Sequence, residues 1–109
     1  MNGIMTLRNP APAVVHVDDS IAPLVPRYLA RRADDAHAMR DALDSGDLMT
    51  ARTIGHKMRG SGGGYGFDYL TDLGAEVEAA AVRGDLVTLR ECVSALEEYL
   101  SHVRVEYVA

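Results

Sequence analysis

Four segments of the sequence repeat apolar residues at steps of three and four, and this spacing restricts the fold more than any other feature. The stripes are Ile21, Val25, Tyr28, Ala36, Met39 and Leu43; Leu48, Ala51, Ile54, Met58 and Tyr65; Leu70, Leu73, Val77 and Ala80; and Leu86, Leu89, Val93, Leu96, Leu100 and Val103. This spacing places apolar side chains on one face of an α-helix. Because no segment alternates convincingly with period two, we predict an all-α fold without strands.

Two short tripeptides separate helical segments. In "SGD", residues 45–47, Gly46 suits the left-handed conformation that ends a helix, and Asp47 suits the cap of the next one. "RGD", residues 83–85, repeats the pattern; in a chain that shows no secretion signal, a helix stop and restart is favoured over an integrin-binding motif. Connections this short predict an antiparallel up-and-down four-helix bundle.

The N-terminal part is expected to differ from the bundle. Residues 1–17 carry prolines and small residues, and we predict a tail that the valines at 14, 15 and 17 anchor to the domain formed by residues 18–109. A short helix or turn is predicted at 19–24, because proline suits a first helical turn but damages a helix interior. The first long helix is predicted from about Pro26 to about Asp44.

Composition narrows the function classes. The formal charge of −5 argues against nucleic acid as the main partner, because phosphate backbones attract basic surfaces. Cys92 is the single cysteine, so no disulfide can form within the chain, and we expect a reducing, cytoplasmic location. We find no signal peptide and no apolar run long enough to span a membrane.

The stretch "IGHKMRGSGGGYGFDYL", residues 54–70, is the most unusual one. Its glycines fit neither the Walker nor the dinucleotide-binding spacing, and no strand is predicted before them. A linker is the second interpretation. The apolar phase of Ile54, Met58 and Tyr65 instead favours a helix over about 48–65, with Gly66 as its stop and Asp68 as the next cap.

On such a helix one face carries His56 and little else. Arg59, Gly60, Gly63 and Gly64 follow His56 by three, four, seven and eight residues, so they share its face, and Lys57 flanks it. Four glycines inside the predicted helix, at positions 60, 62, 63 and 64, together cost roughly 4 kcal/mol of helix stability relative to alanine. A cost of this size suggests that the absence of side chains there has a function. Gly62 and Gly74 are expected to allow close approach of neighbouring helices.

This arrangement suits phosphoryl transfer. An imidazole nitrogen is a nucleophile near neutral pH, and Arg59 and Lys57 can stabilise negative charge on phosphoryl oxygens. The glycines would let another protein reach His56. With no acidic cluster predicted on this face, Mg²⁺ and the acceptor carboxylate are expected from that partner, and no metal or cofactor is expected on this chain.

The run "HKMRGSGGGYGF" resembles the signature of histidine-containing phosphotransfer (HPt) domains, H-x-L-K-G-S-x-x-x-h-G-h, in which h is apolar. His56 matches the phosphorylated histidine, Arg59 replaces the usual lysine, and Gly60 and Ser61 match directly. The resemblance covers about residues 18–105. It implies a four-helix bundle with an exposed His56, and relay of phosphate between a histidine kinase and response-regulator receiver domains.

Two rivals stay open. One is a module that binds a receiver domain without carrying phosphate, and the other is the phosphoacceptor segment of a chemotaxis-type kinase. We expect no autonomous kinase activity, because no nucleotide site is found, and we expect a monomer. Ser61 is predicted to bond backbone within its helix, and Glu76 and Glu78 are too close in sequence to act as a catalytic pair. The histidines at 16, 37 and 102 are interpreted as surface or packing residues.

Overall fold

The computed structural model describes residues 14–109. Four α-helices account for most of this part of the chain: α1 (Val25–Ser45), α2 (Leu48–Ser61), α3 (Asp68–Arg83) and α4 (Leu86–His102). A 3-10 helix (Asp19–Leu24) precedes α1, and a 3-10 turn (Gly63–Tyr65) follows α2. Two short strands, β1 (Val14–Asp18) and β2 (Arg104–Val108), flank the helices in sequence.

The helices form a bundle in which each packs against two others: α1 against α2 and α4, and α3 against α2 and α4. Side-chain contacts between neighbours follow an antiparallel course. For example, Arg40 of α1 bonds Glu97 of α4, whereas Asp44, about one turn later on α1, faces Arg90, about two turns earlier on α4. The predicted four-helix bundle is confirmed at the level of four packed helices.

The predicted apolar stripes supply the core, except for Leu86 in the first turn of α4, which is 41% exposed. Met39, Met58, Leu73, Val77 and Leu96 are each 0% exposed. Complete burial of one such side chain stabilises the fold by about 1.5–3 kcal/mol. The core therefore runs along the bundle axis, and the face of α2 opposite to it remains outside.

The predicted turns between helices are confirmed in detail. Gly46 and Gly84 end α1 and α3 with φ of 75° and 71°. Asp47 and Asp85 then accept hydrogen bonds from the backbone N–H of Thr50 and Thr88 at 3.1 and 3.0 Å. The hydroxyl groups of the same two threonines donate to the second carboxylate oxygens, and these hydroxyl bonds, followed by the backbone bonds, lower the pKa of both carboxyl groups by stabilising the charged form.

The start of α3 differs from the prediction. Phe67 occupies the cap position and makes no side-chain cap bond, so Asp68 is the first helical residue and not the cap. Phe67 is 0% exposed, and the core, not a capping carboxylate, holds this end of the helix. Asp68 still suits the first turn, where the helix dipole favours negative charge.

The prediction of a strand-free fold is wrong for two segments. β1 and β2 pair in parallel, with Val14 opposite Arg104 and Asp18 opposite Val108. Val15 and Val17 of β1 face the core at 8% and 2% exposure. Each strand has only five residues, so its period-two alternation was too short to stand out in the sequence.

The pairing shows that residues 14–17, predicted as the end of a tail, pack on the helical domain, as their anchoring valines suggested. The preceding part of the predicted tail, residues 1–13, lies outside the described residues. The short helix predicted at 19–24 and the long helix predicted from about Pro26 both form, the latter one residue earlier.

Candidate functional site

His56 lies on the outward face of α2. Its neighbours Ile54, Gly55 and Met58 are buried, whereas the side chain of His56 is 64% exposed. The helical phase that places Met58 in the core therefore directs the imidazole to solvent, as the sequence predicts.

Glu78 of α3 holds one nitrogen of this imidazole. Its Oε2 lies 3.0 Å from His56 Nδ1, and its Oε1 lies 3.1 Å from Arg59 Nε. An ionised carboxylate only accepts hydrogen bonds, so the contact assigns the proton to Nδ1. Arg59 Nη2 is also 3.3 Å from Nδ1, but a protonated Nδ1 cannot accept from it. We assign the bond to Glu78, which leaves Nε2 with its lone pair.

Glu78 reaches His56 because α2 and α3 touch backbone to backbone. A Cβ atom added at Gly55 would lie 2.7 Å from the backbone nitrogen of Glu78, closer than real Cβ contacts occur. Gly74 on α3 has the same role against the backbone of Arg59, and Gly62 against that of Thr71. The expectation that Gly62 and Gly74 allow close approach is confirmed, and Gly55 belongs to the same contact.

Glu78 is the site residue that sequence analysis missed. The sequence predicts no acidic cluster on the face of His56, but the order of residues along α2 cannot indicate a single carboxylate supplied by α3. An antiparallel register that pairs Gly55 with Glu78 and Gly62 with Thr71 brings the carboxylate from another helix. The signal in the sequence was the glycine beside His56 together with Gly74 four residues before Glu78.

The glycines predicted to clear the face are not equivalent. Added Cβ atoms at Gly60 and Gly64 would have nothing within 4 Å, whereas one at Gly63 would lie 3.6 Å from Asp68 Oδ1 and Thr71 Oγ1. Gly63 also donates its backbone N–H to Thr71 Oγ1 at 2.8 Å. Gly60 and Gly64 are therefore open backbone, and Gly63 is a contact to α3.

The helix predicted over 48–65 is correct as far as Ser61. Beyond it the chain tightens into the 3-10 turn and stops at Gly66, whose φ is 90°. The prediction of Gly66 as a stop is confirmed. Gly63 and Gly64 follow a different helical phase from His56, which explains why they do not form one uniform strip with Gly60.

Lys57 lies between two grooves on the surface of α2. It lines a shallow groove shared with Met49, Arg52, Thr53, His56 and Glu78, and also a second groove between α1 and α2. It forms no ion pair within residues 14–109. The structure thus brings Arg59 into contact with His56 and leaves Lys57 as a free cation beside it.

Comparison with known proteins identifies the family. The family model described as "Hpt domain" matches residues 24–106. The chain belongs to the Hpt domain family. None of the curated proteins and none of the solved structures gives a significant match to this Hpt domain. Family membership supports a histidine phosphotransfer role in two-component signalling and interaction with kinases and response regulators.

Ser61 of this Hpt domain does not bond its own helix, so that prediction is wrong. Its Oγ lies 2.9 Å from Tyr28 Oη and accepts from Arg32 Nη1 at 3.3 Å. Both partners come from α1. Ser61 therefore links α2 to α1, and it is not available as a nucleophile.

Within residues 14–109 of this Hpt domain, no helix has the length and apolar character needed to cross a membrane. The same residues contain no group of three or more metal-ligand side chains placed to hold an ion. Glu78 is the carboxylate in contact with His56, and it is engaged with Arg59.

Proposed function

We propose that His56 is the phosphoacceptor of this Hpt domain and that Nε2 is the reacting atom. The observation that carries the proposal is the contact between Nδ1 and Glu78 Oε2 at 3.0 Å. A proton held on Nδ1 makes Nε2 the nitrogen with a free lone pair. The exposure of the ring lets a partner's active site reach it.

The transfer step needs no added base, because the attacking Nε2 atom carries no proton. The lone pair of Nε2 attacks phosphorus of a receiver's aspartyl phosphate, the P–O bond to the aspartate breaks, and the carboxylate leaves. The imidazole keeps its Nδ1 proton and becomes cationic. Glu78 accepts the hydrogen bond from this proton throughout, so its negative charge stabilises the phosphorylated ring. The reverse sequence delivers the group to another receiver.

Arg59 is proposed to stabilise the phosphoryl oxygens. Its Nε is occupied by Glu78, which fixes the guanidinium beside the ring and leaves the remaining N–H groups to the phosphate. Lys57 is proposed to assist from the opposite flank, where it forms no ion pair with the described carboxylates.

The open backbone at Gly60 and Gly64, together with Gly63, is proposed as the place where the partner lies against α2. The partners are a receiver domain and a histidine kinase, with the Mg²⁺ ion held by the receiver. In this proposal the domain works as a cytoplasmic monomer and relays phosphate without kinase activity of its own. A receiver that bound without leaving phosphate would instead identify a pure interaction module.

Labelling of His56 tests the proposal directly. Receiver domains from the same organism, charged with acetyl phosphate, are incubated with the protein, and the labelled residue is located by mass spectrometry. We expect an acid-labile, base-stable label on His56 and complete loss of it in His56→Gln.

His37→Gln is the matched control, because His37 is an exposed histidine on α1 without a carboxylate or arginine bonded to its ring within the described residues. It should be labelled like the wild type. Label that persists in His56→Gln would overturn the assignment of the phosphoacceptor.

A further inference from the structure

Among residues 14–109, the cations without an ion pair are concentrated on one side of this acidic protein. Ten of the eleven Lys and Arg residues lie within residues 14–109. Five of them form ion pairs: Arg32, Arg40, Arg59, Arg83 and Arg90. Four of the other five line the two grooves beside α2: Arg27, Arg31, Arg52 and Lys57. On a chain of net charge −5 this is a local basic surface.

The groove between α1 and α2 has a rigid floor. Tyr28 stacks on Tyr65 with ring centroids 4.1 Å apart and bonds Ser61 through its hydroxyl. The guanidinium of Arg32 lies over the Tyr28 ring, 4.6 Å from its centroid, and pairs with Asp35 at 2.8 Å. Stacking, a cation–π contact and an ion pair thus fix the floor, and the groove measures about 340 Å³.

The rim of this groove carries basic side chains that form no ion pair within residues 14–109. Arg27 and Arg31 are one helical turn apart on α1 and both are exposed. Lys57 closes the rim from α2 and also lines the groove of His56. A continuous basic band therefore runs from His56 across Lys57 to α1.

Apolar side chains lie in both grooves. Leu24, 53% exposed, lines the groove between α1 and α2, and Met49, 67% exposed, lines the groove of His56. Exposed apolar groups beside unpaired charges are typical of a surface that binds another protein. A small anion would instead need cations that converge on one point, whereas these are spread along a helical turn of α1 and across to α2.

We propose that Arg27 and Arg31 extend the docking surface beyond His56 and contact an acidic surface of the receiver domain. The proposal rests on the proposed function, because transfer to His56 brings the receiver's metal-binding carboxylates against the neighbouring end of the band. Negative charge around those carboxylates complements the arginines. Arg27 and Arg31 stay away from the phosphoryl group, so they act on association and not on the chemical step.

Charge reversal tests this assignment. Transfer to the protein from an isolated receiver domain charged with acetyl phosphate is measured over a range of receiver concentrations. Arg27→Glu and Arg31→Glu are each expected to raise the receiver concentration at half-maximal rate about tenfold at low salt. The maximal rate is expected to stay unchanged, and the difference should shrink in about 0.5 M salt, where exposed charges are screened.

Arg104→Glu is the control with the same charge change. Arg104 is exposed on β2, has no ion pair among the described residues, and lies outside both grooves. A half-maximal concentration that is equal in Arg27→Glu, Arg31→Glu and Arg104→Glu would overturn the docking proposal.

Two other outcomes separate the possible failures. Wild-type protein that takes no label at His56 contradicts the proposed function itself, whatever the arginine variants do. Binding of duplex DNA by the wild type that is lost in Arg27→Glu would assign the band to nucleic acid and overturn the proposal.

Discussion

At the level of single residues, Glu78 decides how the imidazole of His56 can react. It bonds the ring nitrogen and the guanidinium of Arg59 at once, at 3.0 and 3.1 Å. Its side chain is only 20% exposed, so water competes for it less than for a surface carboxylate. A single side chain from α3 therefore sets both the tautomer of the His56 imidazole and the position of the guanidinium of Arg59.

Removal of this carboxylate should slow phosphoryl transfer. A hydrogen bond to a charged group contributes about 1.5–3 kcal/mol, and the exposure of His56 favours the lower end. We expect Glu78→Ala to reduce the rate about tenfold, because about 1.4 kcal/mol corresponds to a factor of ten. Glu78→Gln, whose amide oxygen can still accept from Nδ1, should recover part of the loss.

The tautomer itself is measured by ¹⁵N NMR of His56. The Nδ1–H form should lose population in Glu78→Ala and keep it in Glu78→Gln. Asp72→Ala, an exposed carboxylate on the same helix, serves as the control. An unchanged rate and tautomer in Glu78→Ala would contradict the role of Glu78.

The buried thiol of Cys92 makes a prediction about alkaline pH. Burial raises the pKa of the Cys92 thiol to about 12, because the low-dielectric core disfavours the thiolate. The unfolded chain ionises first, so the stabilisation is complete below about pH 9 and is lost as pH rises toward 12. Tyr99, whose pKa burial raises to about 12, acts in the same direction.

Denaturant unfolding between pH 7 and pH 10.5, with reductant present, checks this prediction. The free energy of unfolding should fall by up to about 1.4 kcal/mol per pH unit for each such group. Cys92→Ala should flatten the slope by one group's share while lowering stability at pH 7. A slope that stays the same would show that the thiol does not contribute.

At the level of helices, the contact between α2 and α3 depends on glycines that face each other. A Cβ at Gly74 would meet backbone atoms of Gly55 and Arg59, the former at 2.7 Å. Backbone cannot move aside as a flexible side chain does. Close packing of α2 on α3 therefore requires glycine at position 74. At position 60 it does not, because an added Cβ would have nothing within 4 Å.

Alanine substitution should separate these two situations. We expect Gly74→Ala to destabilise the protein by about 1–3 kcal/mol, as overpacked cores do. We expect Gly60→Ala to stabilise it by up to about 1 kcal/mol through helix propensity. Urea unfolding monitored by circular dichroism measures both, and equal effects of the two substitutions would contradict the packing assignment.

The sequence predicts the helices well, because each has a long apolar stripe and a glycine–aspartate boundary. It predicts the exposed His56 for the same reason. It fails where the outcome depends on another element: Ser61 bonds α1, Glu78 arrives from α3, and Phe67 takes the cap position that Asp68 suits locally. Helical periodicity reports which face is buried, but it carries no register between helices.

For the whole molecule, the strand pair joins the two ends of the described chain. β1 lies over the turn at Gly66, since a Cβ there would be 3.3 Å from Val17 Cγ2. The stop after α2 is therefore covered by a strand that lies some fifty residues earlier in sequence. Because Val17 is 2% exposed, the strand is part of the core and not only an attachment to it.

Truncation of Val17 should show this contribution. We expect Val17→Ala to lower the free energy of unfolding by about 2 kcal/mol, because each of the two buried methyl groups contributes about 0.8 kcal/mol and the cavity left behind adds to the loss. Val108→Ala, at a position 44% exposed on β2, is the matched control and should have little effect. Thermal unfolding of both variants provides the comparison, and a loss as small as that of the control would place β1 outside the cooperative unit.

The parallel direction of this pair also has a mechanical consequence. Val14 faces Arg104, whereas Asp18 faces Val108, so the chain enters β1 at one end of the ladder and leaves β2 at the other. A force applied before Val14 and after Val108 would pull the strands along each other and load their hydrogen bonds together. The parallel strand pair therefore resists shear. A force that stretches the chain between Val14 and Val108 would have to separate β1 from β2 before any helix unwound.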